Sequence, residues 1–141
     1  MSERIKSFQL DLDGKIIEIV VSRATTRMGI RRSLMIYAAM DAHDKAGKAG
    51  TEEDEVAYVL SYRTLPDLVA GTVTVTTLPD GPAVEGTELV NAINYPLKVE
   101  ELLDLPEEFV SQWLAAIYEL NPQWDPANLV SKELQGKKTN T

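Results

Sequence analysis

Polar and apolar positions alternate at the start of the chain. Phe8, Leu10 and Leu12 interleave with Gln9, Asp11 and Asp13, and Ile17, Ile19 and Val21 repeat the pattern beyond Asp13-Gly14. An Asp-Gly pair suits a two-residue type I′ turn, whose central residues both need positive φ. The turn sets a hairpin register of Leu12 opposite Lys15, Leu10 opposite Ile17 and Phe8 opposite Ile19. The large apolar residues of one parity then share one face, an arrangement that a one-residue slip would destroy. Ile16 and Val20 fall on the other face, so that side is expected to be partly covered.

From about Thr26 to Lys45 the period becomes helical. Ile30, Leu34, Tyr37, Ala38 and Asp41 follow a helical stripe, widened by Met35, Ala39 and Ala42. Thr51-Glu52-Glu53-Asp54 resembles a capping box and opens a helix from about Glu52 to Arg63. That helix is expected to bury Val56, Val59, Leu60 and Tyr62 and to stop at Leu65-Pro66. Thr72 to Thr77 is β-branched and alternating, a third strand able to pair with the hairpin.

The remainder reads as helix. Thr87 caps a short segment from Glu88 to Asn94, and Val99 to Leu103 makes another turn or two. Pro106 and Glu107-Glu108 open a longer helix, since proline is tolerated in a first turn and carboxylates suit the helix N-terminus. Its apolar stripe comprises Phe109, Val110, Trp113, Leu114, Ile117, Tyr118 and Leu120. Asp125-Pro126 starts a last helix carrying Leu129, Val130 and Leu134, and residues 135–141 form a polar tail expected to be disordered. The expected fold class is α+β. It combines an N-terminal antiparallel hairpin, a third strand at 72–77 and about five helices in one domain over residues 1–134.

Composition narrows the chemistry. The 141 residues include no cysteine and one histidine, which disfavours disulfides, thiolate metal sites and most zinc or Ser-His-Asp chemistry. Fourteen basic against 22 acidic residues give a formal charge of -8, which repels phosphate backbones and anionic lipid. No apolar run matches a membrane span, and MSERIKSFQL lacks the apolar core of a secretory signal. The expectation is a cytoplasmic protein that binds neither nucleic acid nor membrane, needs no cofactor and is not an enzyme.

Several strings carry residue types associated with catalysis or ligand binding. Asp11-Leu12-Asp13-Gly14 resembles the D-x-D-G-T start of haloacid-dehalogenase-like phosphatases, but Lys15 replaces the Thr and no βαβ pattern follows. The turn explains both aspartates better. Gly47-Lys48-Ala49-Gly50-Thr51 lacks the P-loop spacing and follows a helix. Asp41, His43 and Asp44 have metal-ligand types, yet at most two of them converge on a helix. Asp104, Glu107 and Glu108 do not face one another as a glycosidase pair must. Arg23, Arg27, Arg31 and Arg32 form a basic patch that suits pairing with the chain's own carboxylates better than an acidic partner or nucleic acid. Trp113 reads as core. Trp124, between Pro122 and Pro126, either clamps the last helix to the body or anchors a partner.

The stretch Leu105-Pro106-Glu107-Glu108 … Trp113-Leu114-Ala115-Ala116-Ile117-Tyr118-Glu119-Leu120-Asn121-Pro122-Gln123-Trp124 resembles the tail assembly chaperones of long-tailed, siphovirus-like bacteriophages. Their C-terminal halves often carry an L-P-E start, an aromatic-rich helix and an N-P stop. The resemblance implies a non-enzymatic chaperone that binds the tape-measure protein and recruits tail-tube subunits. Such genes often hold a −1 frameshift site near their end, and Gly136-Lys137-Lys138 is the kind of peptide its slippery sequence encodes. Trp124, Tyr118, Arg27 and Arg31 are the residues expected to meet a partner, and self-association stays open. The alternatives are an adaptor or regulatory module unrelated to phage, and a small hydrolase or metal enzyme using Asp11, Asp13 or His43.

Overall fold

The computed structural model describes residues 4–47, 50–79, 92–93 and 95–127. The expected helix from Glu88 to Asn94 lies outside the described residues except for 92–93, which form a bend, and Leu129, Val130, Leu134 and the tail with Gly136 lie outside them altogether.

Strands β1 (Ile5–Leu12) and β2 (Lys15–Ser22) form the hairpin in the expected register, with Leu12 opposite Lys15, Leu10 opposite Ile17 and Phe8 opposite Ile19. Asp13 and Gly14 take φ of 52° and 88°, as a type I′ turn requires, and Asp11 Oδ1 accepts the Gly14 N–H at 2.9 Å. Strand β3 (Thr72–Thr77) pairs antiparallel with β2, giving a sheet of order β1-β2-β3. Between Val20 and Val21 the opposed residue jumps from Thr74 to Thr72, so Val73 is the extra residue of a bulge.

Helix α1 (Thr26–Ala46) follows the hairpin, its first turn capped by the Thr25 hydroxyl, which accepts the Met28 N–H. Helix α2 (Glu52–Val59) starts at the capping box: Thr51 Oγ1 accepts the Asp54 N–H, and Asp54 Oδ2 accepts the Thr51 N–H. The expected stop at Leu65-Pro66 does not occur. The chain widens into a π-helical stretch (Leu60–Thr64) and continues as α3 (Leu65–Gly71), with Pro66 in its first turn. The Leu65 N–H reaches back five residues to the Leu60 carbonyl. The wider turn absorbs the hydrogen bond that proline cannot donate and relieves its ring from the preceding carbonyls.

Helices α4 (Val99–Leu103) and α5 (Glu107–Leu120) and a single 3₁₀ turn (Pro122–Trp124) complete the described chain. Because α2 and α3 run on without a break, the described residues hold four helical bodies beside one three-stranded sheet, an α+β architecture. The core lies between the sheet and α5. Ile17, Ile19 and Val21 from β2 are fully buried together with Leu68 of α3 and Trp113 and Ile117 of α5. Burying such aliphatic and aromatic side chains contributes roughly 1.5–3 kcal/mol each.

Two burial expectations fail in the helices. Val56 and Val59 of α2 are exposed, while Leu60 and Tyr62 are half-buried. On α1 the stripe Ile30, Leu34, Tyr37 faces outward, and no residue of this 21-residue helix is fully buried. The side facing α3 and the π stretch carries Arg32, Ile36, Ala39 and His43, all half-buried.

Candidate functional site

Helix α1 has two usable faces because its sequence holds two stripes at helical spacing. At about 100° per residue, Leu34 and Tyr37 point roughly opposite to Arg32 and Ile36. The inner side combines partial apolar burial, with Met35 packed against the core, and an ion pair. Arg32 Nε donates to Oδ1 of Asp67 on α3, a carboxylate only 1% exposed. The phenol of Tyr118 on α5 donates to Oδ2 of the same residue at 2.6 Å. The Arg32 guanidinium also lies over the Trp124 ring, 5.0 Å from its centroid. One buried carboxylate therefore joins α1, α3 and α5, with an aromatic ring completing the guanidinium's surroundings.

Burial raises the Tyr118 pKa strongly, and the hydrogen bond and negative charge of Asp67 raise it further, while Arg32 opposes the shift. A neutral phenol can donate to the carboxylate; a phenolate would repel it. Tyr118 and Trp124 are thus spent within the fold. Trp124 is buried and clamps its 3₁₀ turn beneath Arg32, so its indole is not presented to a partner.

The outer stripe has no such cover. Ile30, Leu34 and Tyr37 are 56%, 62% and 69% exposed. Single exposed apolar residues are normal on a protein surface, but three in line at i, i+4 and i+7 form a contact strip. Arg27 and Arg31 flank it, both exposed and without an ion pair among the described residues. Arg31 also lies close enough to Tyr95 to favour its phenolate, against the burial that raises that phenol's pKa. Asp41, at the far end of the strip, pairs with Lys45 at 3.0 Å. Of the four arginines in the basic patch, Arg32 pairs internally, whereas Arg27 and Arg31 stay available.

The other candidate residues fall on separate elements. Asp11 and Asp13 build the hairpin turn. Glu107 and Glu108 occupy the first turn of α5, and Asp104 ends α4. His43 stacks on Tyr58 with ring centroids 3.7 Å apart and lies 3.2 Å from Glu55. Both rings line an open cleft of about 410 Å³ between α1 and α2, walled mainly by Ala39, Ala42, Ala46 and Ala57. Among the described residues, no three metal-ligating side chains converge. No helix among them is long and apolar enough to cross a membrane.

Three polar residues that position this architecture escaped sequence reasoning. Asp67 sits in a stretch whose composition gives no hint of an ion pair. Asn121, wholly buried, accepts the Ala24 N–H at 2.7 Å and donates to the Ser22 carbonyl at 2.9 Å, tying the end of α5 to the entry of α1. Thr72, turned inward at the bulge, accepts the Trp113 indole N–H at 2.9 Å. The only signal for Asn121 was its place before Pro122, which reads as helix punctuation. Compared with protein-family models, with curated proteins and with solved structures, the chain shows no match.

Proposed function

We propose that this chain is a non-enzymatic binding protein of the tail-assembly-chaperone kind, acting in the host cytoplasm. In this reading the outer face of α1 holds an apolar stripe of the tape-measure protein, and the complex recruits tail-tube subunits. The observation that carries the reading is the exposed line Ile30, Leu34, Tyr37, flanked by Arg27 and Arg31 in a protein of net charge -8. A long helical client lays its apolar side on such a strip, while the acidic remainder of the chaperone keeps the complex soluble. The Leu105 to Trp124 stretch adds its likeness to the chaperone family. For Asp11 and Asp13, their place in the hairpin turn supports a structural rather than a catalytic role.

The test is co-expression with the tape-measure protein of the same genome. The expected result is that the client becomes soluble and co-elutes with this chain, and that L34D abolishes both effects. A client whose solubility and elution ignore the chain would leave the surface to an adaptor role outside phage assembly.

A further inference from the structure

The outer face of α1 is complementary to itself. Along the strip, Arg27 and Asp41 lie equally far from Leu34, one toward each end of the helix. Two copies of the helix laid antiparallel with Leu34 on the two-fold axis therefore bring opposite charges together at both ends. Arg27 of each copy meets Asp41 of the other, one such contact on each side of the central Leu34 pair. Asp41 now pairs with Lys45 through an exposed bridge that is easily exchanged.

From this geometry we propose that the chain forms a two-fold dimer through antiparallel pairing of the outer faces of α1. The segment from Arg27 to Asp41 spans about 21 Å, enough for a helix–helix contact along the whole strip. The charge complementarity is local, one Arg27–Asp41 pair at each end of the contact. Leu34 and Tyr37, the most exposed large apolar side chains on the helix, become the centre of the contact, as a stable interface requires. The proposal does not rest on the chaperone reading. If that reading also holds, the dimer shields the docking strip until a client displaces the second copy.

The test is sedimentation equilibrium of the full chain over a wide concentration range at low salt, together with three variants. The wild type is expected to show a monomer–dimer equilibrium. L34D, at a site with no buried neighbour to lose, is expected to be monomeric with unchanged helicity by circular dichroism. R27E and D41R are each expected to weaken the dimer about tenfold, since each turns two symmetry-related attractions into repulsions. An equimolar mixture of R27E and D41R is expected to recover wild-type affinity, because in the mixed dimer both end contacts are again between opposite charges. The chain has no cysteine of its own, so L34C under oxidation is expected to give a disulfide-linked dimer in high yield. A strict monomer would overturn the proposal and give the strip to a different partner or to the chain's own residues 128–141. A dimer indifferent to L34D, larger oligomers, or a mixture that does not recover would overturn it as well. Client capture by a strictly monomeric chain would sink this inference alone, whereas an intact dimer without client capture would sink only the chaperone reading.

Discussion

Tyr118 and Asp67 are 51 residues apart in sequence, and the phenol of one donates to the carboxylate of the other at 2.6 Å. Arg32 occupies the second carboxylate oxygen, so three helices converge on a side chain that water does not reach. Helix α1 buries no residue completely, and this polar tie adds to the packing of its half-buried Met35 against the core. A buried pair of this kind is costly to break from one side, because the remaining charge keeps its desolvation penalty without its partner.

R32A should therefore destabilise the protein by about 3 kcal/mol, the low end for a buried pair because the arginine keeps some solvent contact. The neutral double variant R32M/D67N should recover most of that loss. Urea titration of the two proteins checks both statements, and equal losses in the two would show that charge is not the cause.

Alkaline pH should unfold the protein through Tyr118. Its folded pKa lies above the ordinary 10.0, so the native state keeps a proton that the unfolded chain releases. Stability from this group is complete below pH 10.0 and is lost as the pH rises beyond it. Y118F should flatten the fall in stability above that pH, while costing about 1–2 kcal/mol at neutral pH for the lost hydrogen bond to a charged acceptor. Part of the fall should persist, because burial also raises Tyr95. Melting temperature against pH for the two proteins is the measurement.

Gly71 closes α3 directly against α5. A Cβ there would lie 2.7 Å from Cγ2 of Ile117, which is fully buried and β-branched. Alanine is the better helix former, yet G71A should destabilise by about 1–3 kcal/mol through this clash. The same substitution should cost much less in an I117A background, where the obstructing methyl is gone. A double-mutant cycle showing simple additivity would contradict the assigned contact.

Thr72 is the acceptor for the Trp113 indole, whose ring has no solvent exposure. T72V keeps the shape and removes the acceptor, so the indole N–H is left without a partner at a cost of about 1–3 kcal/mol. T72S should retain most of the stability. If T72V matched the wild type in chemical denaturation, the hydrogen bond would carry no weight.

Local structure follows from residues close together in the chain. Asp13-Gly14 admits one tight turn, and that turn dictates the β1–β2 register and the buried line Ile17, Ile19, Val21. Thr51 and Asp54 specify the start of α2, and the single strong stripe of α5 specifies Phe109, Trp113 and Ile117 as core. These features depend on residues within a turn or two of one another, so periodicity and capping read them directly. Tertiary structure decided the rest. Helix α1 carries two stripes of similar strength, and periodicity cannot say which one turns inward. The choice falls on Arg32, Ile36 and Ala39 because Asp67 lies 35 residues further along, joined to Tyr118 beyond it. Likewise Pro66 ends no helix, because a π turn accommodates it, and Trp124 is covered because Arg32 lies over it. Each outcome rests on a partner distant in sequence. The exposed strip on α1 is their joint consequence, since the polar tie to Asp67 leaves Ile30, Leu34 and Tyr37 facing solvent.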